Sequence, residues 1–135
     1  MPVVFMNIPE PHLSPDAETR LLTHASRIMA DCLNSPIERV RIYIKSYCET
    51  RYATAGQVGK PSPFFEFLIF QGRPAEMKHA IMAQMTDLIA RETGLDAADV
   101  RGVCRTVSPD DWCIGGEPAS KVRATHIAAL SEQVF

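Results

Sequence analysis

The chain repeats its own pattern at a spacing of about 60 residues, and this repeat constrains the fold more than any other feature. Residues 40–46 read Val-Arg-Ile-Tyr-Ile-Lys-Ser, and residues 100–106 read Val-Arg-Gly-Val-Cys-Arg-Thr. Arg41 therefore corresponds to Arg101. Because the length of 135 residues suits one domain, we expect a single domain that contains the same small unit twice.

The correspondence extends to both sides of these segments. Pro2 and the apolar strand after it match Pro63 and the strand at 64–70, with a slip of one residue. Further along, Tyr52 matches Trp112, and a glycine follows each of them at the same distance. The two pseudo-repeats and the remaining tail have the approximate bounds 2–60, 63–122 and 123–135.

A helical pattern follows the first strand of each half. Ser14 is a suitable N-cap with Pro15 at the first helical position. The apolar residues at 21–33 then recur at the spacing of one helical face. In the second half, the spacing predicts a helix that starts at Pro74 and ends at Gly94, since glycine is a common C-terminal cap.

Each half thus reads strand–helix–strand, which predicts a right-handed crossover and a parallel pair of strands. Two such units predict an α/β (α+β) fold, with a four-stranded mixed sheet and two helices on one face. The strand at 64–70 is apolar at odd and even positions, so both of its faces are expected to be buried. The helices cover one face only. We therefore expect other subunits to pack on the open face of the sheet.

The tail at 123–135 is also partly apolar. We expect it to form a strand or a helix that packs across a partner subunit. The apolar residues on which this expectation rests are Ile127, Leu130, Val134 and Phe135.

Composition limits the classes of function. With 46% hydrophobic and 22% charged residues, the chain is predicted to be globular with a substantial core. A net charge of -2 and the absence of a membrane-length apolar run favour neither nucleic-acid nor membrane partners. No signal-peptide pattern opens the chain and its four cysteines form no CxxC pair, so we expect reduced thiols and a cytoplasmic location. The histidines lack metal-ligand spacing, and we expect no metal and no other cofactor.

Pro2 directly follows the initiator methionine and precedes the apolar residues 3–6. Methionine is normally removed before a residue this small, which would leave Pro2 with a secondary amine of ordinary pKa about 7.7–8.0. Apolar surroundings and nearby cations disfavour the protonated amine, so Pro2 is a candidate base at neutral pH. A retained Met1 would instead leave this nitrogen as an inert amide.

Two segments resemble a known family. Residues 113–123, Cys-Ile-Gly-Gly-Glu-Pro-Ala-Ser-Lys-Val-Arg, look very like the C-terminal half of 4-oxalocrotonate tautomerase. Residues 70–78 are similar to that family's first loop and helix start. Together with Pro2 they identify the chain as a member of the tautomerase superfamily. It resembles the long members, in which two short units are fused, such as macrophage migration inhibitory factor, malonate semialdehyde decarboxylase and cis-3-chloroacrylic acid dehalogenase.

The resemblance covers about residues 2–123, and it implies a homotrimer that binds a small anionic carboxylate. The family's general base corresponds to Pro2. The arginine that grips the substrate carboxylate corresponds to Arg73. The arginine that meets the carboxylate and the neighbouring oxygen corresponds to Arg101, with Arg41 as its repeat.

The resemblance also implies an aromatic wall for the pocket. This residue corresponds to Trp112, with Tyr52 as its repeat, and Ile114 stands beside it in the family-like run. Pro63 is internal, so its nitrogen is an amide without basicity. We therefore expect one site per chain.

Several of these residues also have a purely structural interpretation. Arg41 and Arg101 lie on expected edge strands, where charged residues usually face solvent. Arg73 precedes a helix-starting proline and is compatible with a surface position. A lone Trp112 would more often belong to a core or an interface. Its family-like setting favours the pocket.

Three functions remain open. The first is a tautomerase or isomerase acting on a small 2-oxo acid or an unsaturated (di)carboxylate. The second is a hydratase, dehalogenase or decarboxylase of the same superfamily, acting on a small acid of about three carbons. Against the decarboxylase, Arg39 stands in the place of its aspartate, with Glu38 alongside, and Ala75 replaces its second arginine. A non-catalytic binding trimer is the third. The carboxylates left to act as an acid in hydration are Asp110, Asp111 and Glu117.

Overall fold

The computed structural model describes residues 1–125 and 127–128. The elements of these residues include eight strands and three α-helices. The strands are Val3–Pro9 (β1), Arg41–Tyr47 (β2), Ala53–Thr54 (β3), Gln57–Val58 (β4), Phe64–Phe70 (β5), Arg101–Val107 (β6), Cys113–Ile114 (β7) and Glu117–Pro118 (β8). The helices are Pro15–Leu33 (α1), Ala75–Thr93 (α2) and Ala119–Val122 (α3).

Four strands form one mixed sheet in the order β2-β1-β5-β6. The parallel pairs are β1 with β2 and β5 with β6, each joined through a long helix. The central pair, β1 with β5, is antiparallel. The predicted fold, a four-stranded mixed sheet built from two β-α-β units with two main helices, is confirmed.

The antiparallel central pair places the two halves head to tail. Val3 at the start of β1 pairs with Arg41 on one side and with Leu68, near the end of β5, on the other. We call this the Pro2 end of the sheet. At the opposite end, the start of β5 at Phe64 pairs with Arg101. We call this the Pro63 end.

Local sequence signals set the helix boundaries. The side chain of Ser14 accepts a hydrogen bond of 3.1 Å from the backbone N–H of Ala17, as expected of an N-cap. Gly94 caps α2 with a φ of 74°. The second helix begins at Ala75 rather than at Pro74, which is its N-cap. The expected start was therefore one residue early, because the extended backbone of Pro74 lies just outside the helix.

The core lies between the helices and one face of the sheet. Alternate residues of β5 point into it, and each of them is no more than 1% exposed: Phe65, Phe67 and Ile69. The helices contribute the facing layer of Leu21, Met29, Ile81, Met85 and Leu88. The two-residue periodicity of the strand thus meets the helical stripes, as the pattern predicts.

The other face of the sheet carries aromatic side chains. Phe5 and Tyr43 stack with ring centroids 5.3 Å apart, and the ammonium of Lys45 lies 5.1 Å from the Phe5 ring centroid. Tyr43 is 50% exposed and Phe64 is 38% exposed. The open face expected from the sequence is therefore present and partly apolar. Its packing against other subunits stays a prediction.

Little of the tail falls within the described residues. The backbone N–H of Ile127 donates a 3.0 Å hydrogen bond to the carbonyl of Arg123. The expected packing of Leu130, Val134 and Phe135 lies outside the described residues. Among the helices that are described, none is long and apolar enough to cross a membrane.

Candidate active site

Pro2 is buried and lies immediately before β1. Its carbonyl accepts a 3.1 Å hydrogen bond from the backbone N–H of Arg41, which joins β1 to the start of β2. Pro2 lines a narrow cavity of about 10 Å³ together with Met1, Leu33 and Arg73. This volume is roughly enough for one water molecule. The predicted base and the predicted carboxylate-binding arginine therefore share one cavity.

Arg73 lies in the loop between β5 and α2 and is half-buried. Its Nη1 donates a 2.7 Å hydrogen bond to the carbonyl of Leu33, the last residue of α1. A cation at this position also complements the negative end of the helix dipole. Burial lowers the pKa of Arg73. One edge of the guanidinium is thus anchored, and its remaining N–H groups are donors for an anion.

A larger cavity of about 240 Å³ adjoins the first, and Met1 lines both. Its lining combines cations with apolar groups: Arg39, Arg41, Arg123, Trp112 and Ile114. The predicted residues Arg41, Trp112 and Ile114 are therefore brought to the Pro2 end. This composition suits an organic anion, since charged donors would hold the ligand against an apolar wall.

The wall is positioned by the β7–β8 hairpin. Gly115 and Gly116 occupy its turn with φ values of 58° and 89°, a conformation that favours glycine. The backbone N–H of Ala119 closes the hairpin with a 2.8 Å hydrogen bond to the carbonyl of Trp112. Trp112 and Ile114 then pack, together with Met1, against a small buried cluster that includes Ala119.

The amino terminus lies among these cations. The pKa of the Met1 amino group is lowered from its ordinary value of 8.0 to about 6. Burial is the largest cause, followed by the positive charges of Arg123, Arg41 and Arg39. Both effects disfavour the protonated form of the Met1 amino group.

Arg101 lies at the Pro63 end, away from Pro2 of the same chain. It pairs with Phe64, and its Nη1 donates to the carbonyls of Ala98 at 2.6 Å and Val100 at 3.1 Å. Arg41 has the same arrangement in the first half, with its Nη1 donating to the carbonyl of Glu38 at 2.8 Å. Arg101 therefore reaches a Pro2 cavity only from another copy of the chain.

Tyr52 also lies at the Pro63 end. It follows β2, whose last residue, Tyr47, pairs with Pro9 at the end of β1. The hairpin β3–β4 holds it there, with the N–H of Gly59 donating a 3.0 Å hydrogen bond to the Tyr52 carbonyl. Within one chain, Trp112 and Tyr52 are thus equivalent residues at opposite ends of the sheet.

Two cavity residues were not among the sequence-based candidates, namely Arg39 and Arg123. Arg39 ends the short turn Ile37–Arg39 before β2. Arg123 follows α3 and is the last residue of the family-like run. The sequence did contain a signal for each residue, because Arg39 lies two positions before Arg41 and Arg123 is the last residue of the family-like run at 113–123. Neither signal predicts that both side chains line the cavity that contains the amino terminus.

The carboxylates considered for acid catalysis are placed differently. Asp110 and Asp111 are exposed in the turn Pro109–Asp111, and Glu117 pairs with Lys121 at 3.6 Å. The carboxylate that does line the larger cavity is Glu38. Within residues 1–125 and 127–128, no group of three His, Cys, Asp or Glu side chains is arranged to hold a metal ion.

A four-stranded mixed sheet of two β-α-β units, with the amino terminus at Met1-Pro2 set among guanidinium groups, is typical of a tautomerase-type protein. A family described as tautomerase enzymes matches residues 42–115, which is more than half of the chain. The chain belongs to this family.

Relatives support this assignment. The chain is 33% identical over 61 residues to 2-hydroxymuconate tautomerase of Pseudomonas sp. (strain CF600), a match that covers 45% of this chain and 97% of the relative. A fused 4-OT wild-type symmetric trimer superposes with a TM-score of 0.83 at 25% identity, covering 89% of this chain and 98% of the other. Pt0534 inactivated by 2-oxo-3-pentynoate superposes with a TM-score of 0.84 at 23% identity, with the same coverage, and shows the likeness of fold.

Proposed function

We propose that this protein is a tautomerase in which Pro2, freed of Met1, is the general base for keto–enol proton transfer. The substrate is a small 2-oxo acid or an unsaturated (di)carboxylate. The observation that carries the proposal is the lowered pKa, about 6, of an amino group set among Arg123, Arg41 and Arg39. Removal of Met1 would place the proline amine one residue further along, beside Arg73.

The environment supplies a base of suitable strength. An exposed α-amine has a pKa of about 7.7–8.0 and is mostly protonated at pH 7. Pro2 is buried and the same guanidinium groups lie at this end of the sheet, so the pKa of its amine should be lowered for the same two reasons. A base with a pKa near the working pH is the most effective proton shuttle.

In this reaction the Pro2 amine both accepts a proton from the substrate and returns a proton to it. The Pro2 amine takes the proton from the enol oxygen of the substrate, and the resulting enolate carries its charge on oxygen. The ammonium of Pro2 then returns a proton to carbon, which gives the keto form and the free amine. A positioned cation near the enolate oxygen is worth about 3–4 kcal/mol in such transition states.

The remaining residues orient the substrate. Arg73 would bind the carboxylate through the N–H groups not used by Leu33, and Arg41 would add a second cation. Trp112 and Ile114 would exclude water from one side of the substrate. These groups hold the reacting carbon over the amine, which lowers the entropy cost of the reaction.

The proposal includes a homotrimer. Arg101 and Tyr52 lie at the Pro63 end of their own chain, so they would complete a Pro2 cavity only across a subunit boundary. The partly exposed Tyr43 and Phe64 offer an apolar face for such packing. A fused 4-OT relative of similar fold is itself a symmetric trimer.

A mass measurement combined with a spectrophotometric assay tests the proposal. We expect intact mass to show loss of Met1, and phenylenolpyruvate and 2-hydroxymuconate to be converted to their keto forms. Pro2→Ala should lose about 100-fold or more in kcat, because general base catalysis of this kind contributes about 10²–10⁴. Pro63→Ala is the matched control, since its nitrogen is an amide in either state.

An electrophilic 2-oxo acid provides a second readout. One relative of the same fold is inactivated by 2-oxo-3-pentynoate. If Pro2 is the nucleophilic amine, this compound should add one adduct to the N-terminal peptide of wild type. The proposal fails if Pro2→Ala turns over at the wild-type rate, or if Met1 remains on a fully active chain.

The position of Glu38 supports a second candidate function, the hydration of a small unsaturated acid. Its carboxyl-bearing side chain lines the larger cavity, where it would activate water while a protonated Pro2 acts as the acid. This function would require a high Pro2 pKa, which the surrounding cations oppose. Halide release from 3-haloacrylates, abolished in Glu38→Gln, would favour it over tautomerisation.

A further inference from the structure

The end of α1 presents a backbone carbonyl to the cavity that contains Pro2. Leu33 and Arg73 both line this cavity, and the Nη1 of Arg73 donates its 2.7 Å hydrogen bond to the carbonyl of Leu33. That carbonyl belongs to the planar peptide group between Leu33 and Asn34. The orientation of this one peptide group therefore determines where the acceptor for the guanidinium lies.

Two backbone hydrogen bonds at the end of the helix hold this peptide group in place. The N–H of Asn34 donates to the carbonyl of Asp31 at 3.3 Å, and the N–H of Ser35 donates to the carbonyl of Ala30 at 2.9 Å. This pair of contacts is the one that defines a Schellman motif. The N–H and C=O of a trans peptide point in opposite directions. Because the N–H turns back into the helix, the Leu33 carbonyl points away from the helix and is free to accept from the guanidinium.

The motif requires a residue in the left-handed conformation, and Asn34 supplies it with a φ of 49° and a ψ of 49°. Asparagine adopts this conformation more readily than most residues with a side chain. Asn34 is exposed, so its contribution lies in the backbone conformation rather than in packing. A residue that resists positive φ would disturb the peptide group that carries the Leu33 carbonyl.

The backbone end of Arg73 is held separately by the loop between β5 and α2. Gly72 has a φ of 101°, and the N–H of Gln71 donates a 3.1 Å hydrogen bond to the carbonyl of Val107. Between this loop and the guanidinium lies a long side chain with many rotamers. The contact with Leu33 is therefore what restricts the orientation of the guanidinium.

The second helix ends in the same way but without an arginine. Gly94 is its left-handed residue, with a φ of 74°, and the N–H of Gly94 donates to the carbonyl of Ala90 at 2.9 Å. The positions that the repeat matches to Arg73 are His12 and Leu13. The end of α2 is thus an internal control, in which the same conformation has no guanidinium to orient.

We infer that Asn34 is a positioning residue, which acts through the Leu33 carbonyl to orient the guanidinium of Arg73 for a carboxylate. The inference rests on the proposed function for the presence of a substrate carboxylate at Arg73. The orientation of the guanidinium itself does not require turnover.

Nitrogen-15 NMR of the full-length protein reports this orientation directly. A guanidinium with one anchored Nη group rotates slowly about its Nε–Cζ bond and gives separate Nη resonances, whereas a free one gives an average. We expect separate resonances for Arg73 in wild type, assigned by their loss in Arg73→Lys. In Asn34→Val they should merge, because a β-branched residue resists the left-handed conformation. Asn34→Gly should keep them separate.

Kinetics provide a second readout. Asn34→Val should raise the KM for phenylenolpyruvate by about threefold to tenfold and change kcat by less than about threefold, since it weakens a contact present in both the ground state and the transition state. Asn34→Gly should retain the wild-type KM. Asn34→Ala should show a smaller increase in KM, and it carries the test if the valine variant does not fold.

The matched control is Gly94→Val. No atom lies within 4 Å of a Cβ added at Gly94, so the substitution strains the end of α2 through the positive φ alone. It should lower the denaturation midpoint as Asn34→Val does. The Arg73 resonances and the KM should stay at their wild-type values, because no arginine depends on this helix end.

The outcomes separate this inference from the proposed function. Separate Arg73 resonances in Asn34→Val would overturn the positioning role, and so would equal changes in Asn34→Val and Gly94→Val. Resonances that merge only in the Asn34 variants would support it, even in a protein without tautomerase turnover. Turnover that depends on Pro2 but keeps the same KM in Asn34→Val would support proton transfer and reject the positioning role.

Discussion

The Nη1 atom of Arg73 donates a 2.7 Å hydrogen bond to the carbonyl of Leu33, and both residues line the cavity that contains Pro2. This contact connects the loop after β5 to the last turn of α1, so elements from both halves of the repeat build one cavity. The cation is held by the backbone of the first half, while its own loop belongs to the second. The cavity is therefore built by both units of the repeat and not by either unit alone.

Arg73→Ala is expected to raise KM for acidic substrates by about tenfold or more, because it removes a charge-assisted contact to the carboxylate. It should also lower the free energy of unfolding by about 1–2 kcal/mol, since the Leu33 carbonyl loses its donor. Steady-state kinetics and urea titration measure the two effects. Arg27→Ala, an exposed arginine of α1, should change neither by much, and an unchanged KM in Arg73→Ala would remove Arg73 from the site.

The pH dependence of kcat/KM should report the Pro2 amine. Cations and burial lower the pKa of an amine, so the activity should rise with pH through a value below 7.7–8.0 and then stay level. Arg41→Gln removes one of the charges that disfavour the ammonium. Its proline pKa should therefore rise, and the activity profile should shift towards alkaline pH. A profile that shifts towards acid, or does not move, would contradict this electrostatic role.

The sequence contained enough information for the fold and for part of the site. Ser14, Gly94 and the Gly115–Gly116 turn have local chemistry that determines where elements begin, end or reverse. The repeat itself indicated two β-α-β units. Family-like runs placed Arg73 and Trp112, which the structure brings to the Pro2 end with Met1.

The other features of the site depend on how the strands pair, which a sequence repeat does not specify. Equivalence of Arg41 and Arg101 follows from the pattern, but the antiparallel contact of β1 with β5 decides that they lie at opposite ends. Arg39 and Arg123 are far apart in sequence and meet only because the turn before β2 and the segment after α3 converge on Met1. Such long-range contacts leave no local periodicity to read.

Gly102 provides a test of the close packing between β6 and the core. It pairs with Phe65, which is 1% exposed, and a Cβ at Gly102 would overlap the ring of Phe65. Gly102→Ala should lower the free energy of unfolding by about 1–3 kcal/mol, as overpacking of a buried aromatic does. Thr106→Ala, at an exposed position of the same strand, should cost about 0.5 kcal/mol or less. Comparable denaturation midpoints for the two variants would show that the Phe65 ring moves aside without strain.

Mixed assemblies test whether Arg101 serves the Pro2 cavity of another subunit. Pro2→Ala and Arg101→Ala should each be nearly inactive as homotrimers. When the two chains are unfolded and refolded together in equal amounts, roughly one quarter of the sites should combine an intact Pro2 with an intact Arg101 from a neighbour. We therefore expect activity to return to about one quarter of the wild-type value.

The control uses a residue that lies in the same cavity as Pro2 within one chain. Arg73 lines the Pro2 cavity of its own chain, so a mixture of Pro2→Ala with Arg73→Ala contains no site in which both residues are intact. That mixture should stay inactive under the same refolding conditions. Recovery in both mixtures would mean that Arg73 also acts across the boundary, and recovery in neither would show that Arg101 does not complete the Pro2 cavity of a neighbouring subunit.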